Sequence, residues 1–242
     1  MAKVKKPAGY IRTARKISYG GKRDLKDIIA VVIHYTGNKG DTAKNNADYF
    51  ATSNTRAAGA HIFVDRKGNV AYSIPIGMTA YAVGGRYSTS SGAGAFFGRI
   101  TNANSVSIEL CDCATKDPSW EQMLACRELY LWIKDQCPNI KHVVRHWDVN
   151  GKNCPARLSG KNNKKWEHFK NKITKNYQFE AKVTRNAAIR SSKGVKKGNK
   201  TGTAKKGTIL KVSKAVGSWY RLLGKDSKGR WRWITRKKVK EL

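Results

Sequence analysis

Ile28-Ile29-Ala30-Val31-Val32-Ile33-His34-Tyr35-Thr36-Gly37 runs from six apolar residues into a histidine and a glycine turn. Its apolar run is too short for most helices and rich in β-branched residues, so it predicts a strand buried on both faces, in the middle of a sheet. His34 stands at the end of that run, and α/β folds tend to place chemistry at the carboxyl ends of buried strands. Alone, such a histidine would merely cap the edge of the core. Its meaning depends on what the rest of the chain brings to it.

After this run, Asp41 or Thr42 caps a predicted helix whose apolar positions Ala43, Ala47, Phe50 and Ala51 lie on one face. Ala60–Asp65 and Val70–Ile74 flank a turn with Gly68-Asn69, a hairpin pattern in which His61 reads as structural. Upstream, residues 1–27 are basic and loop-like. Downstream, residues 77–104 are rich in Gly, Ser and Tyr, made flexible by Ser88-Thr-Ser-Ser-Gly92, and read as a wall or lid of a groove.

Asn104–Cys113 is the next predicted strand, with Ser105, Ser107, Glu109, Cys111 and Cys113 on one face. A carboxylate embedded there is costly without a partner, whereas Cys111 and Cys113 read as buried inert thiols. Asp117-Pro118 should start a helix, with Asp117 as N-cap, and Trp120, Met123, Leu124, Tyr130, Leu131 and Ile133 as its apolar face. Cys137-Pro138 should end it. A basic segment with Trp166, Phe169 and Ile173 on one side predicts the last helix of the first domain.

Between those two helices lies His142-Val-Val-Arg-His146-Trp-Asp-Val-Asn-Gly-Lys152-Asn-Cys154-Pro155. A strand from His142 to Trp147, followed by a polar loop with Asn150-Gly151, would return Cys154 towards His146. His34, His146 and Cys154 then stand together as metal-ligand candidates at strand ends or loops, and His142 falls back to a structural neighbour. Two neutral imidazoles and a thiolate suit zinc, and three protein ligands leave a fourth position open, the pattern of a catalytic site. Glu109 is the available proton acceptor for an attacking water, and Lys152, two residues before a ligand, the available donor to a developing oxyanion.

The charge is the unusual feature of the composition: 49 Lys and Arg against 16 Asp and Glu in 242 residues, a formal +33. It implies an anionic partner such as nucleic acid, acidic membrane or bacterial wall polymer. No run approaches the length of a membrane-spanning helix, and the basic start has no apolar segment behind it, so synthesis in the cytoplasm without a signal peptide is expected. Five cysteines, an odd number and all between residues 111 and 154, argue for reduced thiols over a disulfide framework. Residues 177–242 carry 20 Lys and Arg against 3 Asp and Glu, with short β-type runs at 187–189, 208–212, 219–223 and 231–235. That pattern predicts a small all-β barrel.

Val-Val-Ile-His34-Tyr-Thr-Gly, Gly-Ala-His61-Ile-Phe-Val-Asp, Ser-Val-Ser-Ile-Glu109-Leu-Cys and Arg-His146-Trp-Asp with Gly-Lys152-Asn-Cys154-Pro together resemble the zinc-dependent N-acetylmuramoyl-L-alanine amidases. That family includes phage endolysins and is related to peptidoglycan recognition proteins. The resemblance covers about residues 10–175. It implies an α/β fold with a mixed central β-sheet flanked by helices, and cleavage of the amide joining N-acetylmuramic acid to L-alanine of the stem peptide. It implies Zn2+ on His34, His146 and Cys154, Glu109 as catalytic acid and base, and Lys152 as the transition-state lysine. Many relatives have Tyr immediately before the hairpin His, where this chain has Ala60, so it looks like the branch in which the strand Glu does that work. Relatives also often have Trp-His where this chain reads Tyr81-Ala82.

The tail, with Asn186–Arg190, Trp219-Tyr220 and Trp231-Arg-Trp233-Ile, is similar to bacterial SH3-like wall-binding domains. The expected organisation is therefore a zinc amidase domain at 1–175, a linker at 176–181 and an SH3-like domain at 182–242. Its partners would be peptidoglycan and, through the basic tail, anionic wall polymers, with no specific nucleic acid and no membrane insertion. An endolysin would act at the wall after release from the cell. The alternatives are a non-catalytic peptidoglycan-recognition protein of the same fold, against which retention of Cys154 argues, and a basic nucleic-acid-binding protein.

Overall fold

In the computed structural model, which describes residues 4–83, 94–174 and 179–242, the chain divides into two compact units, Met1–Thr174 and Lys175–Leu242. The basic start is more ordered than expected. It forms the short strands β1 (Tyr10–Ile11) and β2 (Tyr19–Lys22), because both find long-range partners that local sequence does not announce. The apolar run is β3 (Ala30–Tyr35), followed by helix α1 (Ala43–Thr52) with Thr42 as its N-cap. The hairpin follows as β4 (Ile62–Val64) and β5 (Val70–Tyr72), turning at Gly68 with φ 79°. β6 (Met78–Ala80) pairs with β2, so the stretch from 77 is partly regular; Ser88–Gly92 lies outside the described residues.

β7 (Ser105–Leu110) precedes α2 (Trp120–Gln136), whose N-cap is Ser119 rather than Asp117. The Ser119 hydroxyl accepts from the Gln122 amide at 3.1 Å, while Asp117 is drawn off to Arg157 and Lys165. Its buried face is also rotated from the expected one: Cys126, Leu129, Tyr130, Trp132 and Ile133 are buried, while Leu124 and Leu131 are half-buried. β8 (His142–Arg145) stops earlier than predicted, and His146–Asn150 form the short helix α3. Asp148 turns the chain there: its carboxylate accepts from the Arg145 amide at 2.7 Å, and Gly151, at φ 76°, closes the helix as its C-cap. α4 (Lys164–Thr174) buries Trp166, Phe169 and Ile173, the face the spacing predicts.

The main sheet has the order β1-β5-β4-β7-β3-β8. β4, β7, β3 and β8 run parallel and β5 antiparallel to β4, so the sheet is mixed. Strand alternation splits its two faces. Val31, Ile33, Val106, Ile108 and Val143 meet Leu129, Ile133, Phe169 and Ile173 in one apolar core. The opposite face carries Ala30, Val32 and Val144 at one end, and Ser107, Glu109, His34 and Phe63 towards the other. Cys111 stays on that second side against α1, but Asp112 adopts φ 51° and sends Cys113 into the opposite core, which ends the expected alternation at Leu110. All five cysteines are buried and free.

The second unit is a single antiparallel sheet of β9 (Phe179–Val183), β10 (Ala187–Arg190), β11 (Lys200–Ala204), β12 (Ile209–Val216), β13 (Trp219–Lys225), β14 (Trp231–Thr235) and β15 (Val239–Glu241), in the order β11-β10-β14-β13-β12-β9-β15. Residues 179–181 of the expected linker thus belong to β9, and 175–178 lie outside the described residues. Phe179, Ala181, Val183, Ala187, Ala204, Val212, Tyr220, Leu222 and Ile234 are its buried apolar residues. The Tyr220 hydroxyl reaches the carboxylate of Glu241 although three strand spacings separate β13 from β15, so the sheet curls round its apolar side. No helix of the described residues is long and apolar enough to cross a membrane.

Candidate metal centre and active site

Parallel pairing brings the sequence-predicted residues together. His34 is the register partner of Glu109, and Glu109 has Phe63 on its other side. Ile33 pairs with Arg145, so the first residue of α3, His146, emerges beside His34. Their rings are 4.7 Å apart at 65°. Cys154 returns to the same place because its carbonyl accepts from the Trp147 amide at 2.9 Å, and its Sγ lies 3.8 Å from His34 Nδ1. One ligand atom from each of His34, His146 and Cys154 falls within 4.8 Å of the others. His142 is elsewhere: it pairs with Ala30 at the far end of β8 and its ring meets Phe96.

Neighbouring turns hold this strand edge. Asp41, after β3, accepts from the Asp112 amide and from Asn46 Nδ2, and Asp112, after β7, accepts from the Gly40 amide at 2.8 Å. The two strands that carry His34 and Glu109 are thereby locked at their ends. Arg145 does the same for α3 and the loop beyond it. Its guanidinium bonds Asp148 at 2.7 Å and the carbonyls of Leu158 and Gly160, and lies against the rings of Trp147 and Trp166.

The buried polar atoms of the cluster are chemically unfinished. His34 Nε2, both ring nitrogens of His146 and Glu109 Oε2 are buried without a hydrogen-bond partner. Such atoms are costly unless something else satisfies them. Burial, the neighbouring His146 and the Lys152 ammonium push His34 well below its ordinary range; burial and Lys152 bring His146 down to about 4. Neutral imidazoles are the form that binds metal. Burial and the nearby Glu109 push the Cys154 thiol up to about 12, a direction that a cation in contact with sulfur would reverse. Two imidazoles and a thiol with orphaned nitrogens fit a borderline-soft divalent ion such as zinc.

A cavity of about 570 Å³ opens over the cluster, lined by His34, Glu109, His146, Lys152 and Cys154 together with Thr36, Tyr49, Arg56 and Tyr81, among others. Burial pushes the Glu109 carboxyl up to about 8, against the opposing pull of Lys152. A carboxyl poised near neutrality can both take and return a proton. His61 is on the same sheet face, but its ring is occupied by Ser107, the Met78 carbonyl and Arg23, which lies 2.8 Å from Nε2. Thr36, Arg56 and Arg145 were not singled out by the sequence. A charged residue closing the apolar Val143-Val144 run, with Asp148 three residues later, was the available signal for Arg145.

The family profile described as N-acetylmuramoyl-L-alanine amidase matches residues 24–157, more than half of the chain. The chain belongs to this amidase family. Within it, the chain is 33% identical over 156 residues to N-acetylmuramoyl-L-alanine amidase BlyA of Bacillus subtilis (strain 168), covering 62% of this chain and 42% of that protein. It is 31% identical over 140 residues to N-acetylmuramoyl-L-alanine amidase CwlL of Bacillus licheniformis, covering 54% of this chain and 37% of that protein. The chain thus spans about two fifths of the length of these two relatives. Among solved structures, PlyL superposes with a TM-score of 0.54 at 22% identity, covering 70% of this chain and 98% of that one. The mixed sheet with flanking helices is therefore the amidase fold.

Proposed function

We propose that the chain is a zinc-dependent peptidoglycan hydrolase that cleaves the amide between N-acetylmuramic acid and L-alanine of the stem peptide, a phage or prophage endolysin in kind. The observation that carries this reading is the meeting of His34, His146 and Cys154 beside a buried, raised-pKa Glu109 in one cavity. Membership of the amidase family and the names of its relatives supply the bond. His34, His146 and Cys154 would hold the ion. Bound there, it would supply Lewis acidity for the scissile carbonyl and for a water nucleophile near neutral pH.

The chain's own groups do the rest. Glu109 accepts a proton from the attacking water and delivers it to the amide nitrogen as the carbon–nitrogen bond breaks, so the carboxyl ends as it began. Lys152 steadies the negative charge that gathers on the carbonyl oxygen. The second unit, with its 21 Lys and Arg against 3 Asp and Glu, serves as an SH3-like wall-binding domain that holds the enzyme on anionic wall polymers. Synthesis in the cytoplasm and action at the wall after release complete the reading.

Mass spectrometry of peptidoglycan digested with the zinc-loaded protein tests it. Free stem peptides beginning with L-alanine, beside glycan strands with unsubstituted lactyl groups, are the expected products. Products cut within the peptide or the glycan, or none, would refute the assignment.

A further inference from the structure

The outer side of the second unit's sheet carries indoles and cations interleaved. On β13, Tyr220 and Leu222 point to the buried side, which leaves Trp219 and Arg221 on the other. Register places Arg221 opposite Trp233 and Lys214, and Lys225 opposite Trp231. The Arg221 guanidinium carbon lies 4.2 Å from the Trp231 ring centre, and Lys225 Nζ 5.2 Å from it. Trp231 nonetheless remains 39% exposed. A large indole left in water beside two others marks a surface built for contact.

Acids do not neutralise this surface. Asp226 is paired with Arg230, Glu241 meets Tyr220 and Arg236, and Glu180 lies across from Lys211 on β9 and β12. Among the described residues, Lys214, Arg221 and Lys225 make no ion pair. Trp231 and Trp233 are alternate residues of one strand and so stand about 7 Å apart, near the length of one polyol-phosphate repeat.

We propose that the face formed by Trp219, Arg221, Trp231 and Trp233, flanked by Lys214 and Lys225, binds a linear polyol-phosphate or sugar-phosphate chain of the bacterial wall. Its carbon skeleton lies on the indoles and its phosphates meet the cations. This rests on the wall-hydrolase reading above, which selects a wall polyanion over a nucleic acid, the other chain whose flat groups and phosphates would suit such a face. Contact is one repeat long per pair of indoles, so affinity grows with polymer length and falls steeply with salt.

Titration of the intact chain with purified poly(glycerol phosphate), followed by tryptophan fluorescence, tests the assignment. Two variants are compared with the parent: Trp231→Ala, and the double variant Lys214→Gln with Lys225→Gln, whose side chains are exposed. Each is expected to bind about tenfold more weakly, with thermal unfolding and hydrolysis of a soluble muramoyl-peptide unchanged. Trp231→Phe should recover most of the loss. Equal binding by the parent and the double variant would overturn the proposal. So would tighter binding of single-stranded DNA than of poly(glycerol phosphate), or undiminished binding to peptidoglycan stripped of its anionic polymer. Loss of muramoyl-peptide hydrolysis with polymer binding intact would instead count against the amidase reading alone.

Discussion

His34 on β3 and Glu109 on β7 are direct register partners across two parallel strands, so one cross-strand step joins a candidate metal ligand to the candidate acid and base. Because the strands are parallel, their carboxyl ends lie at the same edge, and α3 delivers His146 there from β8. The arrangement follows from sheet order, and the turns at Asp41 and Asp112 keep it in register.

Glu109 places function against stability. Its carboxyl is raised to about 8 from an ordinary 4.5, so the native state holds a proton that the unfolded chain releases above 4.5. The share of the metal-free protein's stability that this proton contributes is therefore lost as pH rises from 4.5 through 8. Glu109→Gln should lower turnover by about two to four orders of magnitude yet make the metal-free protein more resistant to urea, with the advantage larger at pH 8 than at pH 5. Urea titrations at the two pH values check this.

Lys152 is expected to act on the rate more than on binding. Lys152→Ala should reduce kcat by about a hundredfold or more with KM little changed, the signature of an interaction made in the transition state. Its ammonium also draws the Glu109 pKa down. Steady-state kinetics across pH should therefore show the acidic limb of the profile moving to higher pH in the variant.

Arg145 is a positioning residue, since it ties β8, α3 and the 158–160 carbonyls together without lining the cavity. Its side chain is 6% exposed and that of its partner Asp148 16%. Arg145→Ala strands that carboxylate and should cost about 3–5 kcal/mol of stability. Arg145→Lys keeps the charge but loses the fork that reaches both carbonyls. Zinc titration of the Lys variant should show weaker binding than the parent, even where the fold persists.

Acid should weaken the fold through His61. Burial, and the neighbouring Arg23, lower its pKa from 6.5 to about 3. Between those values the unfolded chain takes up a proton that the native ring refuses, so stability falls as pH drops from 6.5 towards 3. Urea midpoints at successive pH values should show this slope, and His61→Asn should make it shallower, leaving the share that the buried His34 and His146 contribute.

Much of the site was legible because its residues sit where strand runs end. The Ile28–Ile33 run announced a buried strand, and His34 after it acquired meaning only once His146, Cys154 and Glu109 supplied compatible chemistry. Local signals failed where distant groups competed. Asp117 looked like the N-cap of α2 but is held by Arg157 and Lys165, and His146 looked like strand but begins a helix that Asp148 turns. β1, β2, β6, β11 and β15 were missed because they are short or Gly/Lys-rich and exist through their pairing. Arg56 and Thr36 reach the cavity through the fold of the chain around α1 and the end of β3, which no spacing rule encodes.

Metal analysis of the purified chain shows whether His34, His146 and Cys154 form one ion site serving amide cleavage. After exhaustive dialysis against zinc-buffered solution, the parent should retain one zinc per chain and Cys154→Ala or His146→Ala close to none, with His142→Ala still loaded. Retention of stoichiometric zinc by Cys154→Ala and His146→Ala, or its loss from His142→Ala alone, would mean that the ion is held elsewhere.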